Sequence, residues 1–138
     1  MNADADRSFD ETGRAGLVLV VEDDYFIAMD LRDTLTGAGY QVLGPVGTAT
    51  DALELLNKHE PAAAILDVNL GDHRVTPVAQ ALATRSIPYV LASAYNDLDL
   101  DNEPLLTTAL NLGKPTLPGS LLTAVRQMIS AAPRADER

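Results

Sequence analysis

Short apolar blocks alternate with helix-spaced apolar stripes along this chain. LVLVV (17–21), AAAIL (62–66) and PYVLA (88–92) are nearly continuous apolar runs of strand length, as expected of strands covered on both faces. After the first, Ile27, Leu31 and Leu35 recur at helical spacing beside Ala28 and Ala38, with Asp24 placed to cap the helix and Gly37 or Gly39 to end it. YQVLGPV (40–46) predicts a second strand, and Pro45, which has no N–H to donate, puts it at a sheet edge. Thr48-Ala-Thr-Asp51 has the spacing of a capping box for a helix through Leu53 and Leu56 that stops before Pro61. Thr76-Pro77 predicts an N-cap and first helical position for a helix to about Arg85. ALNL (109–112) predicts a short fifth strand, and Leu121, Leu122, Val125, Met128 and Ile129 form the apolar face of a last helix. Strands alternating with helices of this length predict a parallel sheet with helices on both faces. One link breaks the rhythm: YNDLDLDNEPLLTT (95–108) has no helical stripe, several turn-formers and Pro104, so the fourth helix is expected to be short, displaced or absent.

Composition narrows the field. At 138 residues and 46% apolar, the chain is long enough for one domain with a proper core and too short for two. The polar, acidic opening MNADADRSFDETGRAG lacks the pattern of a secretory signal, so residues 1–15 are expected to be a disordered acidic tail. The domain proper is expected over 16–131, with 132–138 a C-terminal tail. No apolar run approaches a membrane span, and nothing directs the chain away from the cytoplasm. The absence of cysteine excludes disulfides and thiolate metal sites. A formal charge of −10, without a basic stripe or an aromatic platform, argues against nucleic acid as a partner. Most of that charge reads simply as solvated surface.

The chemistry gathers where the strands stop. Ligands of open parallel sheets sit beyond the carboxyl ends of the strands. Here Glu22 and Asp23 follow strand one, Asp67 follows strand three, Ser93 follows strand four and Lys114 follows strand five. If strands one and three are neighbours, their ends lie about 5 Å apart, which crowds three carboxylates together. Such a cluster holds a proton or a hard cation, and an all-oxygen donor set favours Mg2+ over zinc. A carboxylate beside Mg2+, a hydroxyl and an ammonium are the equipment of phosphoryl transfer, with Asp67 as nucleophile and Ser93 and Lys114 on the phosphoryl oxygens. Taken singly, each residue reads more readily as a helix cap, a strand-end polar group or a surface amine. Their joint order along the chain favours the shared site.

On these residues the chain resembles the receiver domain of two-component response regulators, the CheY-like family. The resemblance runs from about Leu17 to Ile129 and rests on VLVVEDD, ILDVNLGD, Ser93-Ala94 and Gly113-Lys114-Pro115. It implies a flavodoxin-like doubly wound sheet of five parallel strands in the order 2-1-3-4-5. It further implies that Glu22, Asp23, Asp67 and the backbone carbonyl of Asn69 hold Mg2+, and that Asp67 accepts a phosphoryl group from a kinase histidine. Ser93 and Lys114 would read that group, and Asp24 is left as a cap. Two departures stand out. Most receivers carry Tyr or Phe as a rotameric switch three residues before the lysine, where this chain has Asn111, and the fourth helix is poorly patterned. Together with IPYVLASAYND these features resemble the alphaproteobacterial "FAT GUY" branch of single-domain receivers in a degenerate form, with Tyr95 the candidate switch aromatic.

Competing functions fit less well. A haloacid-dehalogenase-type phosphohydrolase needs a second Asp two residues after the nucleophile, where this chain has Asn69, and a flavodoxin-like redox carrier needs a phosphate loop where this chain has Glu-Asp-Asp. Asp97, Asp99 and Asp101 open like a calcium loop, but Asn102 and Thr108 stand where its glycine and bidentate Glu belong. His59 and His73 lack partner spacing and read as surface residues. The expectation is a phosphorylation-switched binding module rather than an enzyme. Its partners would be a histidine kinase or a histidine phosphotransfer protein, and, since about ten residues follow the last helix, a separate protein target. A relay intermediate, a phosphate sink and a phosphorylation-independent binder stay open as alternatives.

Overall fold

The computed structural model of the protein describes residues 16–71, 73–94 and 103–131. The expected tails at 1–15 and 132–138, Tyr95 and the Asp97–Asp101 stretch therefore lie outside the described residues.

Four parallel strands, β1 (Leu17–Val21), β2 (Gln41–Val46), β3 (Ala63–Leu66) and β6 (Tyr89–Leu91), form a sheet in the order β2-β1-β3-β6. β1 is central, with Val18 opposite both Val42 and Ala63, and Leu66 pairs with Leu91 at the far side. As Pro45 requires, β2 is an edge. Strand alternation divides the core in two. Leu19, Val21, Ala64, Leu66 and Leu91 face α2 (Ala49–Lys58) and α3 (Thr76–Thr84), packing against Ala52, Leu56, Val78 and Leu82. Val18, Val20, Ala63, Ile65 and Val90 face α1 (Tyr25–Gly37) and α5 (Pro118–Ala131), packing against Leu31, Leu35, Leu121 and Val125. Burial at this level contributes about 1.5–3 kcal/mol per large aliphatic side chain, and it fixes the register that sets the strand ends side by side.

The ends of the helices follow local chemistry. Asp24 caps α1 as expected, its Oδ1 accepting from the Phe26 and Ile27 amides at 3.0 and 3.1 Å. Thr48 caps α2, its Oγ1 accepting from the Asp51 amide at 3.0 Å. For α3 the expected cap is displaced by one residue. Val75 takes the N-cap position without a side-chain bond, and Thr76 is already helical. The cause is packing: Val75 is wholly buried and is reached through a small antiparallel hairpin, β4 (Asn69–Leu70) and β5 (His73–Arg74), that the sequence pattern did not signal.

The far edge of the sheet departs from the expected fifth strand. Of residues 109–112, only Asn111 bridges β6, at Leu91. The Leu91 amide donates to the Leu110 carbonyl at 2.8 Å and the Leu112 amide to the Leu91 carbonyl at 2.7 Å. The chain then leaves the ladder at Gly113, whose φ of +88° suits glycine and disfavours other residues. The fourth helix is short, as expected: α4 (Pro104–Thr107) is a single turn, capped by Glu103 and tied to the sheet by Tyr89, whose hydroxyl donates to the Leu105 carbonyl at 2.6 Å. Among the described residues no helix is long and apolar enough to cross a membrane.

Candidate functional site

The carboxyl ends of β1, β3 and β6 bring their side chains into one cluster. Glu22 and Asp67 are held there by main-chain bonds that continue the sheet: the Glu22 amide donates to Val46 O at 2.8 Å and the Asp67 amide to Val21 O at 2.9 Å. Both side chains are buried, each residue 3% exposed, whereas Asp23 stands at the surface. One carboxylate oxygen from each of Glu22, Asp23 and Asp67 lies within 4.8 Å of the other two. Lys114 reaches in from the opposite loop, its Nζ 3.1 Å from Asp67 Oδ2 and 3.1 Å from Glu22 Oε1.

Three carboxylates and one ammonium leave the pocket negative. Burial pushes the Glu22 carboxyl up to about 7; the Asp24 amide opposes the rise, the Asp67 charge adds to it and Lys114 opposes it. Burial also pulls the Lys114 ammonium down, but Asp67 and Glu22 outweigh it and leave the group above its ordinary value. Glu22 Oε2 accepts from the Asp24 amide at 3.0 Å and from Lys114 at 3.4 Å. Oε1 is buried and accepts no hydrogen bond, although Lys114 lies close, off the bonding direction. A buried, unsatisfied carboxylate oxygen beside two further carboxylates fits a hard divalent cation, for which these oxygens are the appropriate donors.

Ser93 is completely buried at the end of β6. Its Oγ donates to Asp67 Oδ1 at 3.0 Å and accepts from the Val68 amide at 2.7 Å, so its hydrogen is directed at the carboxylate. The structure thus brings together Glu22, Asp23, Asp67, Ser93 and Lys114. Asn69 opens the β4–β5 hairpin beside them, its amide 3.4 Å from Asp67 Oδ1. Tyr95 is outside the described residues.

Two residues of the site went unread in the sequence. Gly47 lets the end of β2 pass against the acidic turn: a Cβ there would stand 3.2 Å from Asp23 Cα. The signal available was a glycine just after a strand end that lacks any reactive group. Asn111 registered only as a missing aromatic, yet its carboxamide bonds both main-chain groups of Ser93.

Residues 18–126 match the family model described as response regulator receiver domain, and the chain belongs to that family, whose members serve two-component signalling. It is 31% identical over 115 residues to the transcriptional regulatory protein PdtaR of Mycobacterium tuberculosis, covering 82% of this chain and 56% of PdtaR. The chain thus spans about half the length of the curated relatives it matches. Among solved structures it resembles SdrG of Sphingomonas melonis, with 37% identity, a TM-score of 0.71 and coverage of 82% of this chain and 95% of that one. It also resembles the receiver domain of PhyR from Erythrobacter litoralis, with 26% identity, a TM-score of 0.73 and coverage of 88% and 97%. The flavodoxin-like receiver fold that the resemblance implied is the fold observed, built on the parallel sheet that the strand pattern predicted.

Proposed function

We propose that this chain is a phosphoacceptor: Asp67 takes a phosphoryl group from a phosphohistidine of a kinase or phosphotransfer protein, and the modified domain alters its binding to a partner protein. One observation carries the reading. Asp67 is a buried carboxylate at a receiver strand end, with its two oxygens already bonded by Ser93 Oγ and Lys114 Nζ. In the transfer an Asp67 oxygen attacks phosphorus in line. A new P–O bond forms while the P–N bond breaks, and the electron pair returns to the imidazole nitrogen, which regains a proton. Lys114 and Ser93 then move their hydrogen bonds to the phosphoryl oxygens, whose added charge exceeds that of the carboxylate they now serve. Mg2+ held by Glu22, Asp23, Asp67 and the Asn69 carbonyl would neutralise the phosphoryl oxygens as charge builds. Hydrolysis of the acyl phosphate restores Asp67, so the chain processes only its own modification.

The test is intact mass after incubation with acetyl phosphate and Mg2+, with Asp67→Asn and a chelated sample as controls, repeated with a phosphohistidine donor. A gain of one phosphoryl group on the unsubstituted protein with metal, absent from both controls, supports the proposal. No gain with either donor overturns it in favour of binding that does not depend on phosphorylation.

A further inference from the structure

The hydrogen bonds of Asn111 complete a ladder that its backbone abandons. Leu91 is paired on its outer edge by the Leu110 carbonyl and the Leu112 amide. Were the parallel ladder to continue, the next rung would pair the Ser93 main chain with the carbonyl of residue 112 and the amide of residue 114. Gly113 turns away instead. The Asn111 side chain takes that rung: its Oδ1 accepts from the Ser93 amide at 3.0 Å and its Nδ2 donates to the Ser93 carbonyl at 3.1 Å. The same Oδ1 accepts from the Gly113 amide at 3.1 Å. A carboxamide has the donor and acceptor of a peptide group on one short arm, which is why Asn fits here. Leu would leave the Ser93 main chain unpaired at this point.

We propose that Asn111 is the positioning residue of this site, a side-chain rung that makes the Ser93 main chain and the Gly113-Lys114 turn one mechanical unit. Ser93 Oγ bonds Asp67 from one side and Lys114 Nζ from the other, so a single carboxamide sets both groups against the carboxylate. It also frees the Lys114 backbone from the sheet, which lets the ammonium turn inward. The coupling role rests on the phosphoacceptor reading; the rung itself does not. When a phosphoryl group draws Ser93 and Lys114, the pull on either passes through Asn111 to the other. No aromatic at position 111 is needed for that transfer.

The experiment compares the unsubstituted protein with Asn111→Ala and Asn111→Asp by amide hydrogen exchange and by nuclear magnetic resonance with Mg2+ and beryllofluoride, a phosphoryl mimic. In Asn111→Ala the Ser93 and Gly113 amides should exchange about tenfold faster, while Leu91, Leu112 and the central amide of Leu19 keep their rates. Asn111→Asp retains the accepting oxygen and should keep much of that protection. With beryllofluoride, Asn111→Ala should still respond at Val68 but lose most of the response at Gly113. Unchanged exchange at Ser93 and Gly113, or an equal Gly113 response in both proteins, overturns the proposal. Silence at Val68 in the unsubstituted protein would count against phosphoacceptance instead, and the exchange rates would still decide whether Asn111 is the rung.

Discussion

Glu22 should make the metal-free domain less stable as pH rises, and Glu22→Gln should reverse that. The carboxyl is raised from 4.5 to about 7 by burial, with the Asp67 charge adding to the rise. The folded chain therefore holds this proton more tightly than the unfolded chain does. Stability from this group is complete below about pH 4.5 and is lost as pH climbs to about 7. The difference between those two values corresponds to an upper bound of roughly 3 kcal/mol at pH 8. Glutamine keeps an oxygen for the Asp24 amide and gives up the charge and its attraction to Lys114, which retains Asp67. The net expectation is a gain of about 1–2 kcal/mol at pH 8 in chelator, most of it gone at pH 5. Urea midpoints at the two pH values measure it. Saturating Mg2+ should raise the midpoint of the unsubstituted protein at pH 8 and do little for Glu22→Gln, since the cation takes the place of the missing proton. A gain of the same size at pH 5 and pH 8, or no gain at all, would show that ionisation of Glu22 is not a strain on the fold.

Two further substitutions probe the walls of the site. Ser93→Ala removes the donor to Asp67 and leaves the buried Val68 amide without its acceptor; it should cost about 1–3 kcal/mol by urea denaturation and slow phosphorylation of Asp67 in the mass assay, with Ser93→Thr restoring both. Gly47→Ala places a methyl 3.2 Å from Asp23 Cα and should displace that carboxylate. Calorimetric titration should show Mg2+ binding weakened about tenfold, at a stability change below about 1 kcal/mol.

What could be read from the sequence was whatever the periodicity fixes. A strand covered on both faces shows as LVLVV or AAAIL, and the residue after it must then stand at the sheet's carboxyl end; Glu22, Asp67 and Ser93 were found that way, and the registers of β1 with β3 and of β3 with β6 bring them together. Asp24 was legible because a cap depends on one side chain and the amides just beyond it. The start of α3 was not, because burial of Val75 outweighed the turn preference of Thr76-Pro77. The hairpin at 69–74 escaped because two-residue strands have no period to detect. The fifth strand shows the limit most clearly. ALNL has strand composition, but its length is set by Gly113, and the missing rung is supplied by a side chain. Polar periodicity cannot signal a carboxamide that stands in for a peptide group, so Asn111 looked like the loss of a switch. In the structure its carboxamide bonds the Ser93 main chain and the Gly113 amide, a direct link between the two loops whose Ser93 and Lys114 side chains reach Asp67.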